Sequence, residues 1–200
     1  MCDEMKLNGG PDTTLENEQR RKVIKIAAAG ATLGLCGSAF SAEPASTGGK
    51  VELKLDDLLV ADDAEDGAAP LTPADLKPGK PVLAFPYDPK TKTIRSGSRL
   101  NKVLLLRLEE SSFDEKTKSL AANGVLGFSA ICTHQSCEVK TWMSKTKVLA
   151  CFCHASMFQP LESGAVVSGP APRALPTVPL KVVNGKLAVA GPFSAPPGVV

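Results

Sequence analysis

The feature that most constrains this chain is the crowding of its rarest chemically active side chains. Four of the six Cys and both His lie within the 23 residues from Cys132 to His154. They form a first box, Cys132–Cys137 (CTHQSC), and a second box, Cys151–Ser156 (CFCHAS). Each box offers Cys and His at the spacing of a loop, so two loops can converge on one inorganic centre from opposite sides. The fold must therefore bring the two boxes together.

The donor set alone leaves more than one kind of centre open. Two thiolates and two imidazoles suit a tetrahedral zinc ion, which would make the chain a structural zinc-binding interaction module without a redox role. Zinc would leave two box cysteines spare, one in each box, and in an exported protein such a pair is well placed to form a disulfide. A thiol–disulfide enzyme is a weaker alternative, because Cys151-Phe152-Cys153 is not the C-x-x-C of thioredoxin-like sites.

Length and charge narrow the class of protein. A chain of 200 residues favours one compact domain with additional sequence outside it. Lys and Arg number 23 against 21 Asp and Glu, a formal charge of +2, which disfavours a nucleic-acid partner because such binding needs clustered phosphate neutralisation. Gly and Pro are abundant, at 17 and 16 residues, and aromatics make up only 4%. This composition favours a turn-rich fold over a helical bundle.

The N-terminal segment predicts targeting. Residues 1–25 are predicted to be a cytoplasmic tail that contains paired arginines, Arg20-Arg21, and residues 26–42 are an uncharged, Ala- and Gly-rich hydrophobic stretch. Together they resemble a twin-arginine export signal, which predicts export of the folded protein to the periplasmic side. Seventeen uncharged residues lie at the short end of the roughly 17 to 25 that a spanning helix uses. Removal after export and retention as a membrane anchor helix both stay open.

The rest of the chain predicts a linker, a domain and a tail. Residues 43–80 are acidic and contain Pro and Gly, which predicts a linker with at most a short helix over Leu53 to Leu59. Residues 81–193 predict an antiparallel all-β domain, and residues 194–200 a tail. Short apolar or alternating runs bounded by turn residues are typical of strands; here they are Val82–Phe85, Val103–Leu108, Val125–Ala130, Val148–Phe152, Val178–Val183 and Lys186–Ala190. The last two flank Asn184-Gly185, which favours a type I′ hairpin turn.

The paired boxes resemble those of the Rieske iron–sulfur proteins, whose usual forms are C-T-H-x-G-C and C-P-C-H-G-S. The resemblance covers residues 81–193 and implies a Rieske-like antiparallel β domain with a small cluster-binding subdomain. It implies one [2Fe-2S] cluster of Rieske type as cofactor. With an extra Cys in each box, the chain resembles the disulfide-containing respiratory class of the family. This class includes the iron–sulfur subunits of bc-type complexes and the small subunits of arsenite-oxidase-type enzymes.

By position, the resemblance implies a role for seven residues. These are Cys132 and Cys151 as ligands of one iron, His134 and His154 as ligands of the other, Cys137 bridged to Cys153, and Ser156 donating a hydrogen bond to a cluster sulfide. Two neutral imidazoles in place of two thiolates remove negative charge from the cluster, so electron uptake becomes easier than in a four-Cys centre. Gly169-Pro170-Ala171-Pro172-Arg173 resembles the family's proline-rich loop, which covers the cluster.

The boxes depart from the family pattern without losing a ligand. Gln135 stands where quinol–cytochrome relatives often have Leu, Ser136 and Ala155 replace Gly, and Phe152 replaces Pro. Phe158 occupies a position where quinol-oxidising relatives commonly carry Tyr.

The implied function is one-electron transfer in a periplasmic-side respiratory oxidoreductase. The expected partner is a redox subunit, either a cytochrome b or c or a molybdenum catalytic subunit. Gln135 and Phe158 put quinol as the direct donor in doubt. An uncleaved N-terminal segment would add the membrane as a partner.

Overall fold

The computed structural model describes residues 52–65 and 67–200. The predicted tail and the predicted signal or anchor, residues 1–42, lie outside the described residues. Within the described part, no helix has the length and apolarity needed to cross a membrane. The strands and the helix are β1 (Leu58–Ala61), β2 (Val82–Asp88), β3 (Thr93–Ile94), β4 (Val103–Arg107), α1 (Glu115–Leu120), β5 (Val125–Ser129), β6 (Thr141–Met143), β7 (Val148–Cys151), β8 (Ser156–Gln159), β9 (Ala165–Ser168), β10 (Thr177–Val178), β11 (Leu180–Val183) and β12 (Lys186–Val189). Short 3-10 helices are Pro73–Asp75, Arg99–Asn101, Glu110–Ser112 and Pro160–Glu162.

Two antiparallel sheets account for these strands, which confirms the all-β prediction. The large sheet has the order β10-β5-β4-β2-β1-β12-β11, with β3 paired to β2. Only Pro179 separates its two end strands, β10 and β11, in the chain, so the sheet curls into an almost closed barrel. The small sheet, β6-β7-β8-β9, is inserted between β5 and β10. We call residues 130–176, which contain this sheet and both boxes, the box subdomain.

Strand β4 joins the two sheets because both of its faces are buried. Val103 and Leu105 pack with the apolar residues inside the large sheet. Leu104 and Leu106 point the other way and pack in the core that also contains Cys132 and Cys151. Burial on both faces explains why β4 is a continuous apolar run rather than an alternating one. The large sheet thus forms the platform against which the boxes are held.

Strand β1 lies where the sequence predicts a linker. It pairs with β2 on one side and β12 on the other, and Leu59 and Val60 are fully buried. Residues 55–56 form a turn, so the short helix expected over residues 53–59 is not formed. The acid content of this stretch is misleading because Asp57 is buried rather than solvated. Its carboxylate accepts hydrogen bonds from Arg95 Nε at 2.8 Å and Nη2 at 3.1 Å, which pins the start of β1.

The C-terminal region confirms the predicted hairpin and extends the folded part. Strands β11 and β12 are joined by Asn184 and Gly185, with φ values of 51° and 77°, as a type I′ turn requires. Pro179 interrupts the single strand expected over 178–183, since it has no N–H for the ladder. Residues 194–199, expected as a tail, make defined hydrogen bonds with the rest of the described chain.

Candidate metal centre

The first box is a tight loop between β5 and β6. The Cys132 N–H donates to the Cys137 carbonyl at 2.8 Å, and the Ser136 N–H donates to the Cys132 carbonyl at 3.0 Å. These two bonds turn the box back on itself. Cys132 is buried against the core at 1% exposure, while His134 is half-buried nearer the surface.

The second box is the turn that joins β7 to β8. Cys151 is the last residue of β7 and pairs with Ser156, the first residue of β8, so residues 152–155 form the turn. Both paired residues are buried, whereas His154 in the turn is exposed. The two boxes therefore share one arrangement, a buried Cys at the base and a His further out.

A disulfide between Cys137 and Cys153 joins the boxes, and it is the pair that the resemblance implies. The other two box cysteines, Cys132 and Cys151, are free and buried. The bridge closes a loop of 16 residues in sequence. All four cysteines and both histidines of the two boxes therefore come together in one place.

Burial and a neighbouring thiol keep Cys151 protonated until a cation binds. Burial raises the pKa of the Cys151 thiol, and the neighbouring Cys132 thiol raises it further. The backbone N–H groups of Cys153 and His154 donate to the Cys151 sulfur and act in the opposite direction. With no cation bound, Cys151 therefore stays a neutral thiol, and a metal must displace its proton to be ligated.

The two imidazoles lie close together in an edge-to-face arrangement. The ring centroids of His134 and His154 are 4.7 Å apart, with an interplanar angle of 86°. Four buried side-chain polar atoms lack a hydrogen-bond partner among the described residues: His134 Nδ1, Ser156 Oγ, Gln159 Oε1 and Arg173 Nη1. Buried polar atoms are normally paired, so an orphaned imidazole nitrogen and an orphaned hydroxyl at the boxes fit a group that binds between them.

The spacing of the donor atoms argues against a single metal ion. Within the described residues, one group of three Cys or His donors has its ligand atoms all within 4.8 Å of one another, namely Cys137, Cys151 and Cys153. Two of these are the sulfurs of the disulfide, which are not thiolates. A tetrahedral zinc ion needs its ligand atoms about 3.3 to 3.8 Å apart, given zinc–ligand distances of about 2.0 to 2.3 Å. Outside this group, no three Cys, His, Asp or Glu donors of the described residues lie close enough together to share one ion.

The proline-rich loop at residues 169–173 touches both boxes. Gly169 has φ +87°, and a Cβ there would lie 2.5 Å from the Ala155 carbonyl oxygen and from Ser156 Cα. Glycine thus allows the loop to lie directly on the second box. On the other side, the Thr133 hydroxyl donates to the Arg173 carbonyl at 2.8 Å. Sequence reasoning assigned no role to Thr133, although its place in the C-T-H pattern was a signal for one.

Two departures from the family pattern carry a backbone strain. Ser136 and Ala155 both have φ 56°, in the left-handed region, and these are the two positions where the family's usual boxes have Gly. A non-glycine residue in this conformation costs about 1 to 2 kcal/mol. A third departure, Phe152, leaves a large apolar side chain 70% exposed beside His154.

Comparison with known proteins gives a consistent result. Residues 93–179 match the family model described as the Rieske [2Fe-2S] domain. The chain is 36% identical over 126 residues to a respiratory nitrate reductase Rieske subunit of Haloferax mediterranei, a match that covers 62% of this chain and 53% of that protein. It is 29% identical over 133 residues to the cytochrome bc1 complex Rieske iron–sulfur subunit of Streptomyces lividans, covering 64% and 78%.

Among solved structures, the chain is similar to the cyanobacterial plasma membrane Rieske protein PetC3 from Synechocystis PCC 6803. The identity is 25% and the TM-score 0.41, with 60% of this chain and 95% of that chain covered. The chain thus spans about half the length of the Haloferax relative and nearly all of the cyanobacterial structure.

Proposed function

This chain carries a Rieske [2Fe-2S] domain, whose cofactor is a [2Fe-2S] cluster, and we propose that it transfers single electrons as the iron–sulfur subunit of a periplasmic-side respiratory oxidoreductase. The observation that carries the proposal is the pairing of the two boxes, which a disulfide joins and which together present two free buried thiols and two imidazoles. The family match and the spacing of the donor atoms both argue against the structural zinc module.

Four residues are proposed to hold the cluster. Cys132 and Cys151 would bind one iron, and His134 and His154 the other. Support comes from the separation of the donors into a buried thiol pair and an imidazole pair. When bound, the cluster supplies a one-electron couple, and its two imidazole ligands make electron uptake easier than four thiolates would.

The two sides of the proposed centre differ in their exposure to solvent. The thiol side is closed to water, because Cys132 and Cys151 pack in an apolar core that includes the fully buried Phe158. The imidazole side is open at His154. A redox partner is therefore proposed to approach at His154. The buried Ser156 hydroxyl is proposed to donate to a cluster sulfide, which favours the reduced, more negative state.

The proposed partner is a cytochrome b or c, or a molybdenum catalytic subunit. Relatives named as a bc1 complex Rieske subunit and as a nitrate reductase Rieske subunit support a respiratory assembly. Phe158 favours the second option, in which the chain relays electrons from a catalytic subunit, because its ring offers no hydroxyl to the cluster ligands. A retained N-terminal anchor would favour the bc-type assembly, with quinol as donor.

The proposed location follows from two features. The twin arginines at Arg20-Arg21 precede an uncharged stretch, a pattern typical of export in the folded state. The Cys137–Cys153 disulfide suits an oxidising compartment on the periplasmic side.

The cluster is tested by metal and acid-labile sulfide analysis of the purified chain, together with electron paramagnetic resonance (EPR) of the reduced protein. We expect iron and sulfide in equal amounts and a Rieske signal. Gln135→Ala is the matched control for His134→Ala, because Gln135 is an exposed neighbour in the same loop. The control should keep the cluster and His134→Ala should lose it. Zinc without sulfide in the unsubstituted protein would end the electron-transfer proposal.

The partner is tested by purification from native membranes under conditions that keep complexes intact. Co-purification of cytochrome b supports the bc-type assembly, and a large molybdenum subunit supports the relay. Fractionation of the same cells before extraction tests the location, with Arg20→Lys/Arg21→Lys as the variant that should block export. A cluster-containing protein that carries this double substitution and still reaches the periplasm would contradict the twin-arginine route.

A further inference from the structure

Residues 196–199 contact the first box at Ser136, and we call them the strap. The Arg173 guanidinium holds the strap through Nη2, which donates to the Pro196 carbonyl at 2.7 Å and to the Gly198 carbonyl at 2.5 Å. The next N–H along the strap, that of Val199, donates to Ser136 Oγ at 3.1 Å. The strap therefore connects the proline-rich loop to the first box.

Together with the chain itself, these bonds close a ring that passes through the backbone of His134. The Thr133 hydroxyl donates to the Arg173 carbonyl, so hydrogen bonds run from Thr133 to Arg173, from Arg173 to the strap, and from the strap to Ser136. The chain itself completes the ring from Ser136 back to Thr133 through His134. Because Thr133 and Ser136 flank His134 on both sides, the peptide that carries its imidazole is held at both ends.

The strap is seated against the box and not merely near it. Gly198 is buried and has φ +73°, and a Cβ at this position would lie 2.8 Å from Ser136 Oγ and 3.3 Å from Ile131 Cγ2. Both the backbone conformation and the close approach call for glycine here. Pro197 beside it is also buried.

The strap gives a reason for serine at position 136, where the family's usual box has glycine. Its left-handed φ of 56° would suit glycine better, yet glycine has no side chain to receive the Val199 N–H. The Ser136 carbonyl also accepts a hydrogen bond from Arg99 Nη2. Serine thus keeps a strained backbone at this position and supplies an acceptor that joins the strap to the box.

We propose that the strap positions His134 for cluster binding, with Arg173 and Ser136 as positioning residues that act through the peptides on either side of it. The inference rests on the proposed function in one step, that His134 is an iron ligand. If the same contacts only added stability to the fold, losing them would lower the melting temperature and leave the environment of the cluster unchanged.

The test compares two arginines with matched contacts. Arg107, the last residue of β4 in the large sheet, also donates to two backbone carbonyls, those of Pro73 and Leu76 at the 3-10 helix Pro73–Asp75. In the cluster-loaded protein, Arg173→Met should shift the EPR signal of the reduced cluster and its midpoint potential. It should also speed amide hydrogen exchange in residues 132–137 about tenfold, the effect of losing roughly one hydrogen bond. Arg107→Met should lower Tm without changing any of these three. Arg173→Lys, which keeps a donor, should show a smaller shift of the EPR signal than Arg173→Met.

Substitution of Ser136 separates positioning from stability. Ser136→Ala removes the acceptor and keeps the backbone strain, whereas Ser136→Gly removes the acceptor and relieves the strain. Both should shift the EPR signal and speed exchange, while only Ser136→Ala should lower Tm.

Two results would overturn the inference: a drop in Tm with an unshifted signal in Arg173→Met, or an unshifted signal in both Ser136 variants. Failure of the proposed function has a different signature, since the unsubstituted protein would then contain no iron or sulfide. Hydrogen exchange of residues 132–137 would still report whether the strap holds the loop.

Discussion

The large sheet and the box subdomain differ in how they treat buried polar groups. In the large sheet, the buried Asp57 is paired with Arg95, and the Asn101 amide spans the Arg95 carbonyl and the Glu52 N–H. In the box subdomain lie all four of the buried side-chain polar atoms that have no partner among the described residues. The large sheet thus pairs these buried polar groups within the protein, whereas two of the orphaned atoms, His134 Nδ1 and Ser156 Oγ, lie in the boxes, where a bound group would meet them.

The two regions are nevertheless coupled through packing. The face of β4 that points away from the barrel interior packs in the same core as Cys132 and Cys151. The disulfide and the strap act on the loops above this core. Because the disulfide and the strap lie on the box side of this core, we expect substitutions in the large sheet to change stability while the cluster keeps its spectroscopic properties, and substitutions at the boxes to change the cluster itself, with or without a loss of stability.

His154→Ala should give the largest effect, complete loss of the cluster. His154 is exposed, so its removal leaves no cavity in the core, and the described residues offer no further His to replace it. We expect no Rieske EPR signal and no bound iron, while far-ultraviolet circular dichroism still shows a folded large sheet. A full-strength signal in this variant would show that His154 is not a ligand.

Asp57→Ala should give the largest effect on stability from the other region. Arg95 keeps Asp88 as a carboxylate partner at Nη2, but its Nε loses the Asp57 acceptor, and a buried donor left unpaired costs about 1 to 3 kcal/mol, or more for a charged group. Denaturant unfolding measures the loss, and the EPR signal of the folded fraction should not move. Lys181→Ala is the control, since it removes an exposed ion pair with Asp56 that is worth about 0 to 1 kcal/mol. Equal losses in the two variants would contradict the prediction.

Removal of the disulfide should loosen the boxes while leaving all four proposed ligands in place. A loop of this length implies a stabilisation of about 3 kcal/mol. The double variant Cys137→Ala/Cys153→Ala is preferred, because a single substitution would leave a free thiol beside Cys151. We expect a shorter half-life of the cluster, measured as the decay of its visible absorbance. An unchanged half-life, or free thiols at both positions in active unsubstituted protein, would contradict a structural role for the bridge.

The sequence predicted the meeting of the two boxes and their disulfide better than it predicted where the folded part begins and ends, for physical reasons. The boxes are local patterns whose residue types and spacing specify chemistry, and the Asn184-Gly185 turn is a local backbone preference, so both could be recognised along the chain. Strand β1 could not, because Asp57 becomes buried through Arg95, 38 positions away. The strap depends on bonds between residues 25 and 63 positions apart, and no local pattern marks a Pro- and Gly-rich segment as docked.

Ser156→Ala should move the midpoint potential without lowering the stability of the cluster-free protein. Its hydroxyl is fully buried and has no partner within the described chain, so its removal leaves no protein group unpaired. With the cluster bound, loss of a hydrogen bond that stabilises the reduced state by about 1.4 kcal/mol more than the oxidised state lowers the midpoint by about 60 mV for a one-electron couple. Ser129→Ala is the control in the large sheet. Ser129 Oγ accepts from the Ile131 N–H at 3.0 Å, so that variant should lose stability and keep its potential.

Phe158→Tyr should give the smallest shift of the midpoint potential, and it tests the core that the large sheet and the boxes share. Phe158 is fully buried in the core that contains Cys132 and Cys151, so a new hydroxyl there must find an acceptor or remain unpaired. If it donates to a ligating cysteine sulfur, it stabilises the more negative, reduced cluster more than the oxidised one, and the midpoint rises. A differential hydrogen bond of about 1 kcal/mol corresponds to about 40 mV. Phe128→Tyr adds a hydroxyl to the same core from β5 of the large sheet, and it should lower Tm without raising the potential. Redox titration of both variants decides the matter: a downward shift in Phe158→Tyr, or equal shifts in the two, would show that Phe158 does not face the cluster ligands.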